Sequence, residues 1–454
     1  MKNKQRLFWV ILILLSFPVG YAQQGVTPET ALMHYLNNND HTYAWEVRER
    51  FQINDVEAYS VLFISQKWQK MLWKHEMIIF VPQAVAHDGA LLFITGGSLR
   101  NGIPNLVNKN EETVQFMAEL ARRNSAVTVL LHQVPNQPLY DGLTEDALIS
   151  YTLNEYKKDG DYSWPLLFPM TKSAIRALDV VQAFSSEQLG REISRFVVSG
   201  ASKRGWTTWL SAATEDSRIV AIAPMVIDML NMPATLEYQK EMYGGYSEQI
   251  QDYVDLEIPQ SITSSFGDAV VKMIDPYSYR EKLKLPKLII LGSNDPYWTV
   301  DAVKHYIDEI PGHNLLHYVA NAGHELGDRK QAIAALGAFF ALNLKGAALP
   351  DCSWRLHQGR RSVELEVKGS PGELVGARLW TTTSESRDFR KSIWSGEEIK
   401  PDPKDPSTVK VRLQYPKKGY SAFYVDLLYS SPNGGEYSVS TRTFVAGQKQ
   451  VFEK

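Results

Sequence analysis

The chain has 454 residues, 44% of them hydrophobic, with a formal net charge of -3. That length allows two or three domains with a sizeable core, and the charge balance argues against a general nucleic-acid binder, which would carry a basic excess. The single cysteine, Cys352, rules out an intramolecular disulfide, a four-cysteine zinc site and a Cys–Cys redox pair.

In chain order, the first residues have the form of an export signal. Lys2, Lys4 and Arg6 make a positive start, "LFWVILILLSF" (Leu7 to Phe17) is an apolar run, and "GYA" ends on the small Ala22. The run is short for a bilayer span, so the expectation is a signal peptide over 1–22, cleaved after Ala22. An uncleaved anchor is the alternative. No later segment is apolar enough to cross a membrane, so the mature protein is expected to be exported, periplasmic or secreted, with no stable anchor.

"TYAWEVRERFQ", "EAYSVLFISQ" and "HEMIIFVPQ" have the β-branched and aromatic content of strands. "GALLFITGG" (Gly89 to Gly97) is a buried strand ending in glycines. "NEETVQFMAELARRN" (Asn110 to Asn124) has helical apolar spacing. The strand "SAVTVLLHQVP", a helix over "MTKSAIRALDVVQAF" (Met170 to Phe184), the strand "RFVVSG", the helix "GWTTWLSAATE" and the strand "IVAIAPMVI" (Ile219 to Ile227) follow. "LPKLIILGSNDPYWTVD" (Leu285 to Asp301) continues the alternation, then a helix over "AVKHYIDEI", the strand "NLLHYVA" and a helix over "RKQAIAALGAFFALNL" (Arg329 to Leu344). Strand–helix alternation predicts an α/β domain with a mostly parallel sheet flanked by helices, over 23–348.

Two stretches, at about 135–169 and 228–279, are too long for routine loops and are expected as helical cap insertions, either lids or surface helix pairs. From 349 to 454 the pattern alternates with period two in "SVELEVKG", "GARLWTTTS", "TVKVRLQYP", "SAFYVDLLYS" and "YSVSTRTFV", which predicts a C-terminal all-β, sandwich-like domain.

The chemistry concentrates in "RFVVSGASKRGW" (Arg195 to Trp206). Ser202 follows a strand and precedes a helix, the setting of a nucleophile elbow, although the second glycine, Gly205, comes one residue later than in G-x-S-x-G. A hydroxyl needs an adjacent base to react at neutral pH. Asp295 follows "KLIILGSN" and His324 follows "NLLHYVANAG", so an acid and a base lie in the order Ser, Asp, His at later strand ends. In a parallel sheet those ends share one edge. Asp228, after "IVAIAPMVI", remains an alternative acid.

The expected oxyanion donors are the Lys203 backbone N–H and Gly97 in "TGGS", with Gly96 or Ser98 as alternatives. The Lys203 and Arg204 side chains either add charge near the oxyanion or pair with acids on neighbouring loops. His305 and His317 are expected to be structural or exposed, and His132 could face the cleft near the oxyanion loop; Asp301 is expected on a helix start, and Glu325 beside the site or on the surface. No H-E-x-x-H, Walker loop or G-x-G-x-x-G after a strand occurs, so no metal or cofactor is expected. The expected substrate is a small molecule, a glycan ester or a peptide.

The stretches "VVSGASKRGWTTWLSAATEDSRIVAIAPMVIDMLN", "LGSNDPYWTVD", "NAGHEL" and "LWTTTSESRDFRKSIW" resemble the PhoPQ-activated pathogenicity-related protein family. The resemblance implies an α/β-hydrolase fold, export, and a catalytic Ser202, Asp295 and His324. That family is linked with resistance to cationic antimicrobial peptides, which keeps peptide cleavage open beside ester cleavage. The chain also looks distantly like the catalytic domain of dipeptidyl-peptidase-type enzymes. A local similarity is to glucuronoyl esterases, whose G-x-S-x-x-G elbow carries an arginine where this chain has Lys203. Those enzymes often place the acid elsewhere, which keeps Asp228 open. The resulting expectation is an exported serine hydrolase, with a carbohydrate esterase or a non-catalytic binding protein of the same fold as alternatives.

Overall fold

The computed structural model describes residues 25–370 and 374–453. The expected signal peptide lies outside the described residues. Helix α1 (Pro28–Leu36) precedes an antiparallel run of β1 (Ala44–Ile53), β2 (Val56–Trp68) and β3 (Met71–Pro82). Then come β4 (Gly89–Ile94), the short pair β5 (Leu99–Arg100) and β6 (Ile103–Pro104), α2 (Glu112–Asn124) and β7 (Val127–Leu131). The first insertion carries α3 (Glu145–Asp159) and leads into α4 (Leu167–Leu189). The elbow joins β8 (Arg195–Ala201) to α5 (Lys203–Ala213), followed by β9 (Ile219–Met225).

The second insertion holds α6 (Met232–Tyr243), α7 (Gln251–Val254) and α8 (Ser265–Ile274). Strands β10 (Lys287–Gly292) and β11 (Asn314–Val319) and helix α9 (Lys330–Lys345) complete the alternation.

The main sheet begins β1-β2-β3-β7-β4-β8-β9-β10-β11, parallel from β7 through β11. One antiparallel strand beside β7, the reversal of β7 and β4, and then β8 to β11 in sequence is the connectivity of the α/β-hydrolase fold. Strands β8, β10 and β11 are apolar runs buried on both faces, as parallel strands covered by helices must be. One face packs against α4 and α5 through Phe184, Leu178 and Trp209. The other packs against α2 and α9 through Met117, Leu336 and Phe340.

Two local expectations differ from the structure. Helix α4 runs further at both ends than 170–184: its first turn accommodates Pro169, and it stops at Gly190, whose φ of 62° suits a glycine C-cap. The segment "AVKHYIDEI" is not one helix but two 3₁₀ turns, Ala302–His305 and Ile307–Glu309. Tyr306 breaks between them, with φ -147° and its ring fully buried. The β-branched and aromatic residues of this segment favour a helix only weakly, and burial of the Tyr306 ring overrides that preference.

The C-terminal strands are β12 (Cys352–Gln358), β13 (Ser362–Gly369), β14 (Leu374–Ser384), β15 (Ser395–Ile399), β16 (Thr408–Gln414), β17 (Tyr420–Ser430), β18 (Glu436–Ser440) and β19 (Phe444–Ala446). Strands β12, β13 and β16 form their own sheet. Its buried residues Val363, Leu365 and Val411 belong to one core with Phe423, Val425 and Leu427 of β17. The opposing layer, β18-β17-β14-β15, continues the main sheet outward from β11.

Candidate active site

Strand β8 delivers Ser202 at a sharp turn. Its backbone has φ 60° and ψ -126°, a strained conformation for a residue with a side chain. The turn is held by a hydrogen bond from the Ser202 N–H to the Met225 carbonyl at 2.9 Å and by the first turn of α5, where the Trp206 N–H donates to the Ser202 carbonyl. Gly205 packs α5 onto β9: a Cβ there would lie 2.7 Å from the Met225 carbonyl oxygen and 2.8 Å from Ile227 Cγ2. The late glycine thus sits where the helix crosses the neighbouring strand.

His324, on the loop after β11, has Nε2 2.8 Å from Ser202 Oγ. Its Nδ1 lies 2.8 Å from Asp295 Oδ2, on the loop after β10. The ionised carboxylate can only accept, so Nδ1 carries the hydrogen and Nε2 is free to accept from the serine hydroxyl. The other Asp295 oxygen accepts the Tyr297 N–H at 2.9 Å. Asp295 is buried, whereas His324 keeps about a fifth of its side chain exposed (22%).

Asp228 is bonded to a different residue. It is buried, accepts the Tyr306 hydroxyl at 2.7 Å, and burial pushes its carboxyl up to about 8. His132 is buried with Nδ1 at 2.9 Å from Thr95 Oγ1, and burial lowers it to about 4. His317 faces Ser438 and His305 packs on Tyr238. Asp301 precedes the first 3₁₀ turn and binds Lys304 and the Tyr238 hydroxyl.

Lys203 heads α5, where the first N–H groups of a helix have no intrahelical acceptor and the dipole favours negative charge. Gly96 lies on the wall of a cavity that reaches Ser202 and His324. Gly97, with φ 136°, packs against Gln133, and its carbonyl accepts from Gln137 Nε2 at 3.0 Å.

The basic side chains beside the serine are paired. Lys203 Nζ lies 2.8 Å from Asp146 and 3.4 Å from Glu145. Arg204 makes two bonds to Glu145, at 2.7 and 2.8 Å, and its Nε donates to the Val134 carbonyl at 2.5 Å. Burial alone would raise the Glu145 carboxyl, but the Arg204 guanidinium outweighs it and holds Glu145 at about 2. Both acids open α3, so the first insertion is tied to the elbow. Tyr253, from α7 in the second insertion, donates to Asp146 at 3.0 Å. Sequence reasoning allowed acid partners for these cations but did not identify them; two adjacent acids at a helix start, opposite two adjacent bases, were the available signal.

It also missed the braces behind the site. Asn294, next to Asp295, donates to the Ser392 carbonyl at 2.7 Å. Asn321, on the His324 loop, exchanges two bonds with the backbone of Trp394, at 2.7 and 3.0 Å. The "RDFRKSIW" segment therefore holds the acid and base loops together.

Two cavities meet at Ser202. The first, about 670 Å³ of empty space with its mouth included, lies under the second insertion and is walled by Trp206, Met229, Met232, Leu236 and Ile258. The second, about 980 Å³ on the same measure, contains His324 and is rimmed by Glu112, Glu325 and Arg329.

Residues 32–390 match the model of the family described as PhoPQ-activated pathogenicity-related protein. The chain belongs to this family. Autocrine proliferation repressor protein A of Dictyostelium discoideum is 28% identical over an alignment 454 positions long, covering 92% of this chain and 89% of its own. Among solved structures, acetyl xylan esterase 1 from Thermoanaerobacterium sp. JW/SL YS485 superposes with a TM-score of 0.47 at 16% identity, over 70% of this chain and 93% of its own. Glucuronoyl esterase from Solibacter usitatus does so with a TM-score of 0.39 at 11% identity, over 67% and 90%.

Proposed function

We propose that the protein is an exported serine hydrolase that cleaves an ester or amide through an acyl-enzyme. The observation that carries this reading is His324, with one ring nitrogen at 2.8 Å from Ser202 Oγ and the other at 2.8 Å from Asp295. Ser202 Oγ attacks the carbonyl carbon and its proton passes to His324 Nε2. Asp295 fixes the imidazole tautomer and stabilises the cation. Helix N–H groups at Lys203 and the Gly96–Gly97 loop take the oxyanion. The bond to the leaving group breaks, and that group takes the proton from His324. Water, deprotonated by His324, then releases the acid and restores Ser202. The positive start, apolar run and Ala22 support export.

The test is labelling of the purified protein with a fluorophosphonate, which reacts with an activated serine. Wild type is expected to label and Ser202→Ala to lose it completely. Labelling retained in Ser202→Ala would overturn the nucleophile assignment. A folded wild type that neither labels nor turns over an ester and peptide panel would favour the binding-protein alternative.

A further inference from the structure

We propose that the cavity under the second insertion is an acyl pocket, and that the substrate is an ester of an uncharged, apolar acid with a polar alcohol. This rests on the serine-hydrolase reading and goes on to assign the two sides of the scissile bond. In that reaction His324 Nε2 must hand its proton to the leaving oxygen. The leaving group therefore occupies the cavity that contains His324, and the acyl group the other one.

The acyl side is made of hydrocarbon. Trp206, Met229, Met232, Leu236, Ile258 and Ile262 line it. Its charged lining groups are Lys203 and Asp146, which neutralise each other at 2.8 Å, with Tyr253 on the second Asp146 oxygen. That leaves no uncompensated charge to hold an anionic acyl group. A uronoyl sugar would also bury hydroxyls against methyl groups, at the cost of their hydrogen bonds with water. An alkyl or aryl chain gains from the same surface. The leaving side has an apolar wall too, with Phe93, Phe116 and Leu326, but it also carries charged groups at its rim. Glu112, Glu325 and Arg329 rim it, and the nearest contact between Arg329 and Glu112 is 3.8 Å, so these groups retain capacity for hydroxyls of an alcohol.

The experiment measures kcat/KM for p-nitrophenyl acetate, butyrate, hexanoate and octanoate and for methyl glucuronate, with fluorophosphonate labelling of every sample. The expected result is a rise of about threefold to fourfold per added methylene until the pocket fills, with methyl glucuronate the poorest substrate. Leu236→Trp, which narrows the pocket, should lower the octanoate-to-acetate ratio at least about tenfold. Ile262→Ala, a milder change at the same wall, should move the preferred chain to a longer one. A protein that labels at Ser202 but prefers acetate or glucuronate, or whose ratio neither variant moves, would overturn the acyl-pocket assignment alone. Absence of labelling would overturn the serine mechanism and this assignment with it.

Discussion

Tyr297 lays its ring across His324, with centroids 4.2 Å apart and planes 30° from parallel. The same residue's N–H donates to Asp295 at 2.9 Å. One loop position therefore supports the acid through its backbone and covers the base with its side chain. An imidazole held on one face has fewer orientations to sample, which matters for the proposed reaction, in which a proton passes along a 2.8 Å contact.

Replacing that ring should loosen the base without unfolding the loop. Tyr297→Leu keeps the backbone N–H and is expected to lower kcat about tenfold, with fluorophosphonate labelling slowed rather than lost. Tyr297→Phe should restore most of the rate. Equal losses in both variants would mean that the hydroxyl, not the ring, matters, and would refute the positioning role.

Asp295 and Asp228 can be separated by substitution. Asp295→Asn removes the acceptor that fixes the His324 tautomer, and a fall in kcat of about 10⁴ is expected. Asp228→Asn changes a residue bonded to Tyr306 and should cost no more than a few-fold. Its effect should appear in stability. The Asp228 carboxyl goes from an ordinary 3.8 up to about 8 on burial, so its contribution is present below pH 4 and lost as pH rises to 8. The melting temperature of Asp228→Asn relative to wild type should therefore climb between pH 4 and 8 and level off above.

Two buried histidines should act in the opposite direction, weakening the fold as pH falls. His75 and His317 are fully buried, and burial lowers both from 6.5 to about 4. The unfolded chain takes up protons first, so stability is whole above pH 6.5 and falls as pH drops towards 4, by about 3 kcal/mol at most for each. Thermal melts from pH 7 to 4 should show this loss as the difference between wild type and a His75→Gln, His317→Gln double variant, since Asp228 acts in the opposite direction over the same range. The double variant should reduce the acid sensitivity, leaving the share of His132, which burial also lowers to about 4; an unchanged slope would place that sensitivity elsewhere.

Ser202, Asp295 and His324 were legible because each follows an apolar run that could only be a buried strand, and parallel strands gather their ends on one edge. The order along the chain then sufficed to bring them together. Contacts between segments far apart left no such mark. The partners of Lys203 and Arg204 lie in α3, 57 to 59 residues earlier, and the adjacent acids Glu145 and Asp146 mark a helix start without saying which cations they face. Strand β18 alternates like its neighbours, and its pairing with β11 depends on an edge that periodicity does not reveal. The 3₁₀ turns around Tyr306 escaped for a related reason: a ring drawn into the core decides that backbone, not helix propensity.

The braces from Asn294 and Asn321 set an order of assembly. Their acceptors and donors lie 98 and 73 residues further along the chain. The parallel strands that lead to Ser202, Asp295 and His324 can pair on a growing chain while the Asp295 and His324 loops still lack their clasp. Residues up to Ser440 must emerge, so that β18 docks on β11 and brings β17 and β14 with it, before those loops are locked in register. A nascent or proteolytically shortened chain would then hold formed parallel strands with an unfinished centre, so that the proposed chemistry would begin only with the last quarter of the polypeptide.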